Sequence, residues 1–92
     1  MTTSIFEGKQ ILVVGHDLGI LQVLEKKILE AYPNCRFHKA TTYVQATEMM
    51  LSLTYDFILL DIRGVRGSDL WNLAVTRNLP MVNFPTAMEV NL

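Results

Sequence analysis

A single cysteine, Cys35, leaves the chain without the means to form an internal disulfide. No apolar run approaches the ~18–20 residues that a membrane span requires. There is no surplus of either charge: Lys and Arg number 8, Asp and Glu 9, and the formal net charge is −1. That balance provides no basic footprint for nucleic acid or for an anionic membrane surface, so neither is an expected partner. The opening Met1-Thr2-Thr3-Ser4-Ile5-Phe6-Glu7-Gly8 has no basic segment followed by an apolar core, and no secretory leader is expected. There is no internal repeat and no low-complexity segment. These absences together point to a cytoplasmic protein, in which Cys35 serves as a small buried hydrophobe rather than a reactive thiol.

What is present is apolar. Half of the 92 residues are hydrophobic, enough for a packed core and too many for a disordered chain. The length allows one domain, spanning residues 1–92. It is short for a three-layer α/β arrangement, and small domains bury a smaller fraction of their surface.

Apolar and polar stretches alternate along the chain. Lys9 to Val14 is β-branched and apolar, reads as a strand and ends at Gly15. Gly15-His16-Asp17 is the following loop, and the Asp17 carboxylate can cap a helix from about Leu18 to Ala31. Ile20, Leu24, Ile28 and Ala31 form its inward stripe by spacing, Leu21, Val23 and Leu29 widen it, and Pro33 stops it. Cys35 to Ala40 alternates in polarity, as an edge strand does. Thr42 with Gln45 three residues on makes a capping box for a second helix, whose apolar positions are Val44, Met49, Met50, Leu51 and Leu53. A loop from Arg63 to Gly67 leads to a third helix capped by Ser68, with Asp69 in its first turn, Leu70, Leu73 and Ala74 facing inward, and Asn78 at its end. Trp71 in that helix belongs either against the sheet or on an interaction face. Pro80 to Phe84 is the fourth strand. The order β-α-β-α-β-α-β at this spacing implies right-handed crossovers and a parallel sheet, with the first strand central and the second at an edge.

The segment Phe57-Ile58-Leu59-Leu60-Asp61 is the most informative. A continuous apolar run that ends in one carboxylate reads as a strand buried on both faces. In open parallel sheets ligands bind at the carboxyl ends of the strands, where Asp61 stands. Gly15-His16-Asp17, Asp61 and Pro85-Thr86-Ala87 occupy three such ends. Carboxylates with a hydroxyl nearby suit a hard cation such as Mg²⁺, held by Asp17 and Asp61, together with a phosphoryl group. Each residue also has a plainer role: Asp61 as an acceptor for loop N–H groups, His16 as an exposed loop histidine, Asp17 as a helix cap and Thr86 as a solvated residue.

From Lys9 to Ala87 the chain resembles the receiver domain of two-component response regulators, the CheY-like fold. Ile11-Leu12-Val13-Val14 with Gly15-His16-Asp17 resembles the family's first strand and acidic cluster. Ala40-Thr41-Thr42-Tyr43-Val44-Gln45-Ala46 resembles the approach to the family's second helix. Asp56-Phe57-Ile58-Leu59-Leu60-Asp61-Ile62 is similar to the strand ending in the phosphoacceptor aspartate, and Leu79-Pro80-Met81-Val82-Asn83-Phe84 with Thr86-Ala87 to the strand ending in the switch hydroxyl. The resemblance implies a three-layer α-β-α, flavodoxin-like fold with strand order 2-1-3-4 and without a fifth strand and helix. It implies a non-enzymatic phosphorelay module with Asp61 as phosphoacceptor, Mg²⁺ as cofactor and a sensor histidine kinase or other signalling protein as partner.

The departures from the pattern are specific. Gly15 and His16 stand where the family has its acidic pair, Gly64-Val65 replaces Met-Pro, and Pro85 occupies the ungapped switch position. The stretch stops before the family's phosphoryl-contacting lysine. Phosphorylation is therefore expected to be slow or absent, with Arg63 and Arg66 supplying positive charge in place of the metal. Without a fifth helix, either the natural chain continues or apolar surface is left for self-association. The alternative function is a pseudo-receiver that binds proteins without phosphotransfer. A nucleotide-binding α/β domain is third, because Gly15-x-x-x-Gly19 lacks both the Gly-Lys-Ser/Thr and the third glycine that nucleotide loops need.

Overall fold

The computed structural model describes residues 8–61 and 66–83. Four parallel strands and three helices alternate: β1 (Gln10–Val14), α1 (Leu18–Ala31), β2 (Arg36–Ala40), α2 (Tyr43–Ser52), β3 (Phe57–Leu60), α3 (Gly67–Arg77) and β4 (Met81–Asn83). The sheet order is β2-β1-β3-β4, a flavodoxin-like arrangement with β1 and β3 central. Ile11, Leu12, Val13 and Val14 are wholly buried because β1 is covered on both faces.

The two faces carry separate cores. On one, Leu21, Leu24 and Ile28 of α1 pack on Ile11, Val13 and Cys35. On the other, Ala46 and Met50 of α2 and Leu70 and Ala74 of α3 pack on Leu12, Val14, Ala40, Ile58 and Leu60. Cys35 is buried, and that burial pushes its thiol pKa up, as befits a core residue.

Asp17 caps α1, its Oδ1 accepting from the Ile20 amide at 3.3 Å. The inward stripe of α1 differs from the expected one: Leu21, Leu24 and Ile28 are buried, whereas Ile20 and Ala31 are exposed. The helix is apolar on more than one side and the sheet accepts only one stripe. Leu21 wins because Gly15 has no side chain; a Cβ there would lie 3.2 Å from Leu21 Cδ2.

Thr42 caps α2, accepting from the Gln45 amide at 3.1 Å, while the Gln45 side chain returns to the Thr41 amide at 3.0 Å. Only Ala46 and Met50 of this helix are buried, with Tyr43 and Met49 packed beside them. Val44, Leu51 and Leu53, also among its apolar positions, are exposed, because the small Ala46 brings the helix onto the sheet along a narrow stripe.

Ser68 is not the cap of α3. The helix begins at Gly67, and its cap is Arg66, in the left-handed region at φ 56° with no side-chain bond to the first turn. Gly67 is buried, so the chain packs inward one residue earlier than a serine cap would allow. Asp69 does lie in the first turn, and Leu70 and Ala74 are buried as expected. Trp71 is half-buried against the α2–α3 core. Strand β4 is shorter than Pro80–Phe84: Pro80 has no N–H and contributes its carbonyl to the Ile58 amide at 2.8 Å. Phe84 lies outside the described residues.

Candidate functional site

Parallel pairing decides which residues meet at the carboxyl end of the sheet. Val14 stands opposite Leu60 in the β1–β3 register, so Gly15 and Asp61 leave the sheet side by side. Backbone bonds hold this exit: the Asp61 amide donates to the Val14 carbonyl at 2.9 Å, and the Gly15 amide to the Ala40 carbonyl at 3.1 Å. The two loops are thereby fixed to three strand ends, those of β1, β2 and β3.

Asp61 is 5% exposed and is the one buried charged residue among the described residues. A buried carboxylate is costly to fold around unless polar groups meet it. Nδ1 of His16 lies 4.0 Å from Asp61 Oδ2, and the His16 side chain is 61% exposed. A Cβ added at Gly15 would sit 3.6 Å from the Asp61 Cβ and closer still to Leu21, so this position leaves room for Asp61 and adds no ligand of its own.

The remaining candidates divide. Asp17 is exposed and turned to its own helix, with one carboxylate oxygen engaged by the Ile20 amide, so the cap role describes it. Arg66 does not stand free beside the site. Its Nε donates to Asp69 Oδ2 at 2.8 Å, and its guanidinium lies 3.9 Å from the centre of the Tyr43 ring. Its charge ties α3 to α2. Arg63 and Thr86 lie outside the described residues.

The donor set does not suit Mg²⁺. That ion takes carboxylate, phosphate and water oxygens and sheds its water reluctantly. Around Asp61 the loop after β1 contributes glycine and imidazole, and no group of three or more His, Cys, Asp or Glu among the described residues could hold a metal ion.

Two features go beyond the sequence reading. The loop after β1 stands beside Asp61 as expected, and the structure adds that His16, rather than Asp17, is its residue nearest the Asp61 carboxylate. The second is a cavity of about 430 Å³ at the opposite end of the sheet, lined by Met50, Leu53, Tyr55, Ile58, Arg77 and Pro80 among others. It opens where α2 and α3 end, and no motif marks it. No helix among the described residues is long and apolar enough to cross a membrane. Comparisons with family models, with curated proteins and with solved structures found no match.

Proposed function

We propose that this chain is a receiver module of two-component phosphorelay signalling, with Asp61 at the phosphoacceptor position. One observation carries the reading: the only buried charged side chain among the described residues stands at the carboxyl end of a central parallel strand, beside the first strand's loop, in a sheet ordered 2-1-3-4. In the reaction so assigned, the phosphoryl group leaves an imidazole nitrogen of a sensor histidine kinase and bonds to a carboxylate oxygen of Asp61. The partner is that kinase, the output is conformational, and the compartment is the cytoplasm.

A second reading, a pseudo-receiver that binds signalling proteins without phosphotransfer, has its own support. Gly15 and His16 supply no carboxylate to the pocket, and Arg66 spends its charge on Tyr43 and Asp69. Phosphoryl transfer to a carboxylate needs positive charge to offset the gathering negative charge. Transfer in this chain is accordingly slow or absent. Exposed Val23 and Val82 on α1 and β4 favour association with another protein or with a second copy.

Beryllofluoride with Mg²⁺, followed by amide NMR, separates the two readings. Shifts centred on residues 15–17 and 61, lost in Asp61→Asn, support the phosphoacceptor. An unperturbed spectrum at saturating beryllofluoride leaves the interaction module.

A further inference from the structure

We infer that the cavity at the amino end of the sheet binds a small carboxylate with an apolar body, of the kind a short fatty acid presents. Arg77 holds the carboxylate, and Met50, Tyr55 and Ile58 form the floor under the apolar part. The site lies at the opposite end of the sheet from Asp61 and does not depend on Asp61 accepting a phosphoryl group.

The cavity exists because two helices stop near the start of β3. The chain leaves α2 through the extended Leu53, and it leaves α3 through the left-handed Asn78. Between these exits about 430 Å³ stays open, a volume within the roughly 300–1,000 Å³ of small-molecule sites. The floor belongs to the core: Met50, Tyr55 and Ile58 are buried. Leu51 and Leu53 also line the cavity and are exposed. Concave apolar surface in contact with water favours an apolar occupant, because binding removes both from water. The unbranched thioether of Met50 adjusts to the shape of what enters.

The polar groups decide what the apolar body must carry. The Tyr55 hydroxyl is engaged by His38 at 2.7 Å, and the Thr54 carbonyl accepts from Gln10 Nε2 at 2.8 Å. Arg77 is the one charged side chain of the lining among the described residues, and no carboxylate lines the cavity with it. Among the described residues Arg77 also has no ion pair elsewhere. In the last turn of α3 it complements the helix dipole, which asks for a positive charge and not for its five N–H donors. A planar fork of donors beside an apolar floor matches a carboxylate that ends an apolar chain or ring. A cation would meet Arg77 as a like charge, and a neutral ligand would leave the fork to water.

The test is a titration of the full chain with hexanoate, hexanol and hexylammonium at millimolar concentration, followed by amide NMR. Hexanoate is expected to give saturable shifts at Met50, Leu53, Ile58, Arg77 and Leu79. Hexanol should bind about fivefold more weakly, the upper end for one exposed ion pair, and hexylammonium more weakly still. Acetate, which has the charge and no apolar body, should leave these amides in place. Arg77→Gln should remove the preference for hexanoate over hexanol. Arg77→Lys keeps the charge at the helix end and loses the fork, so it should keep the parent melting temperature and bind hexanoate more weakly. Leu53→Ser, at an exposed position, should weaken hexanoate and hexanol alike. The inference is overturned if hexanol binds as tightly as hexanoate, if Arg77→Gln leaves the preference intact, or if hexanoate shifts exposed Ile20, Val23 and Val44 and spares the cavity. Asp61→Asn should leave hexanoate binding unchanged, so silence towards beryllofluoride and failure to bind hexanoate are separate results.

Discussion

The hydroxyl of Tyr55 lies 2.7 Å from Nδ1 of His38, and the two rings meet edge to face, with centroids 5.6 Å apart and planes at 88°. The contact joins the middle of the edge strand β2 to the residue pair that precedes β3, across the amino end of β1. Tyr55 is buried, and His38 is half-buried on the same sheet face. Edge-to-face rings and a satisfied phenol both favour the contact. Tyr55→Phe keeps the ring and removes the hydroxyl, and should lower unfolding stability by about 1 kcal/mol. Urea melts of the two proteins test this; an unchanged midpoint would show that the hydroxyl bond contributes nothing net.

Burial also raises the pKa of two groups, the Cys35 thiol and the Tyr55 phenol. In each case the folded state holds its proton to higher pH than the unfolded chain does. The stability they contribute is therefore complete below the ordinary ionisation range, and is lost as pH rises past about 8.5 for a thiol and about 10 for a phenol. Unfolding free energy should fall on the alkaline side in two stages. Cys35→Ala should abolish the first stage and leave the second. A pH series of urea melts from neutrality to pH 11 reads both, and a flat profile in the parent chain would remove the basis for this assignment.

Gly15 and Leu21 are coupled through space. At Gly15 the backbone does not adopt a positive φ, so alanine would ordinarily stabilise the chain by roughly 0.4–1 kcal/mol through the unfolded state. Here the added Cβ would come within 3.2 Å of Leu21 Cδ2, and Leu21 is fully buried. Gly15→Ala should thus destabilise, by on the order of 1 kcal/mol, as overpacking does. In a Leu21→Ala background the same substitution should become neutral or stabilising. The double-mutant cycle is the measurement. Additive effects would mean that the cost of Gly15→Ala arises elsewhere.

Much of this architecture was legible in the residues. Alternating patterns fixed on β-branched runs located all four strands, and Asp17 and Thr42 marked two helix starts as Ser68 did not. The difference is chemical. Asp17 and Thr42 each bond an amide of the first turn, a local event within four residues. The start of α3 is decided by tertiary packing, with Gly67 buried and Arg66 drawn to Tyr43 and Asp69. The inward stripe of α1 is likewise set by tertiary packing. Ile20 and Leu21 are neighbours of equal hydrophobicity, and only the vacancy beside Gly15 selects Leu21. The candidate site was legible as Asp61 and as the loop after β1. That His16 rather than Asp17 turns towards Asp61 depends on the helix cap that engages Asp17, which spacing alone leaves open.

Asn78 closes α3 in a way that discriminates sharply among side chains. Its φ is 57°, in the left-handed region, its amide donates to the Val75 carbonyl at 3.2 Å, and the Leu79 amide donates to the Ala74 carbonyl at 2.8 Å. These are the two bonds of a Schellman ending, and Leu79 follows into the α2–α3 core as the hydrophobic residue that accompanies it. Asparagine tolerates this backbone better than other residues with a Cβ, and glycine tolerates it best. Asn78 is exposed, so its side chain can be changed with little effect on packing. Asn78→Ala should cost about 1 kcal/mol, since alanine keeps the Cβ that the left-handed region disfavours and loses the short polar side chain whose local hydrogen bonding offsets that cost in asparagine. Asn78→Gly should match or exceed the parent stability, the relief of strain offsetting the freedom glycine adds to the unfolded chain. Thermal melts of the three proteins should rank glycine at or above asparagine and both above alanine. If alanine equals asparagine, the helix ends by relaxing into another backbone conformation, and the two bonds at Val75 and Ala74 are not what hold Leu79 in the core.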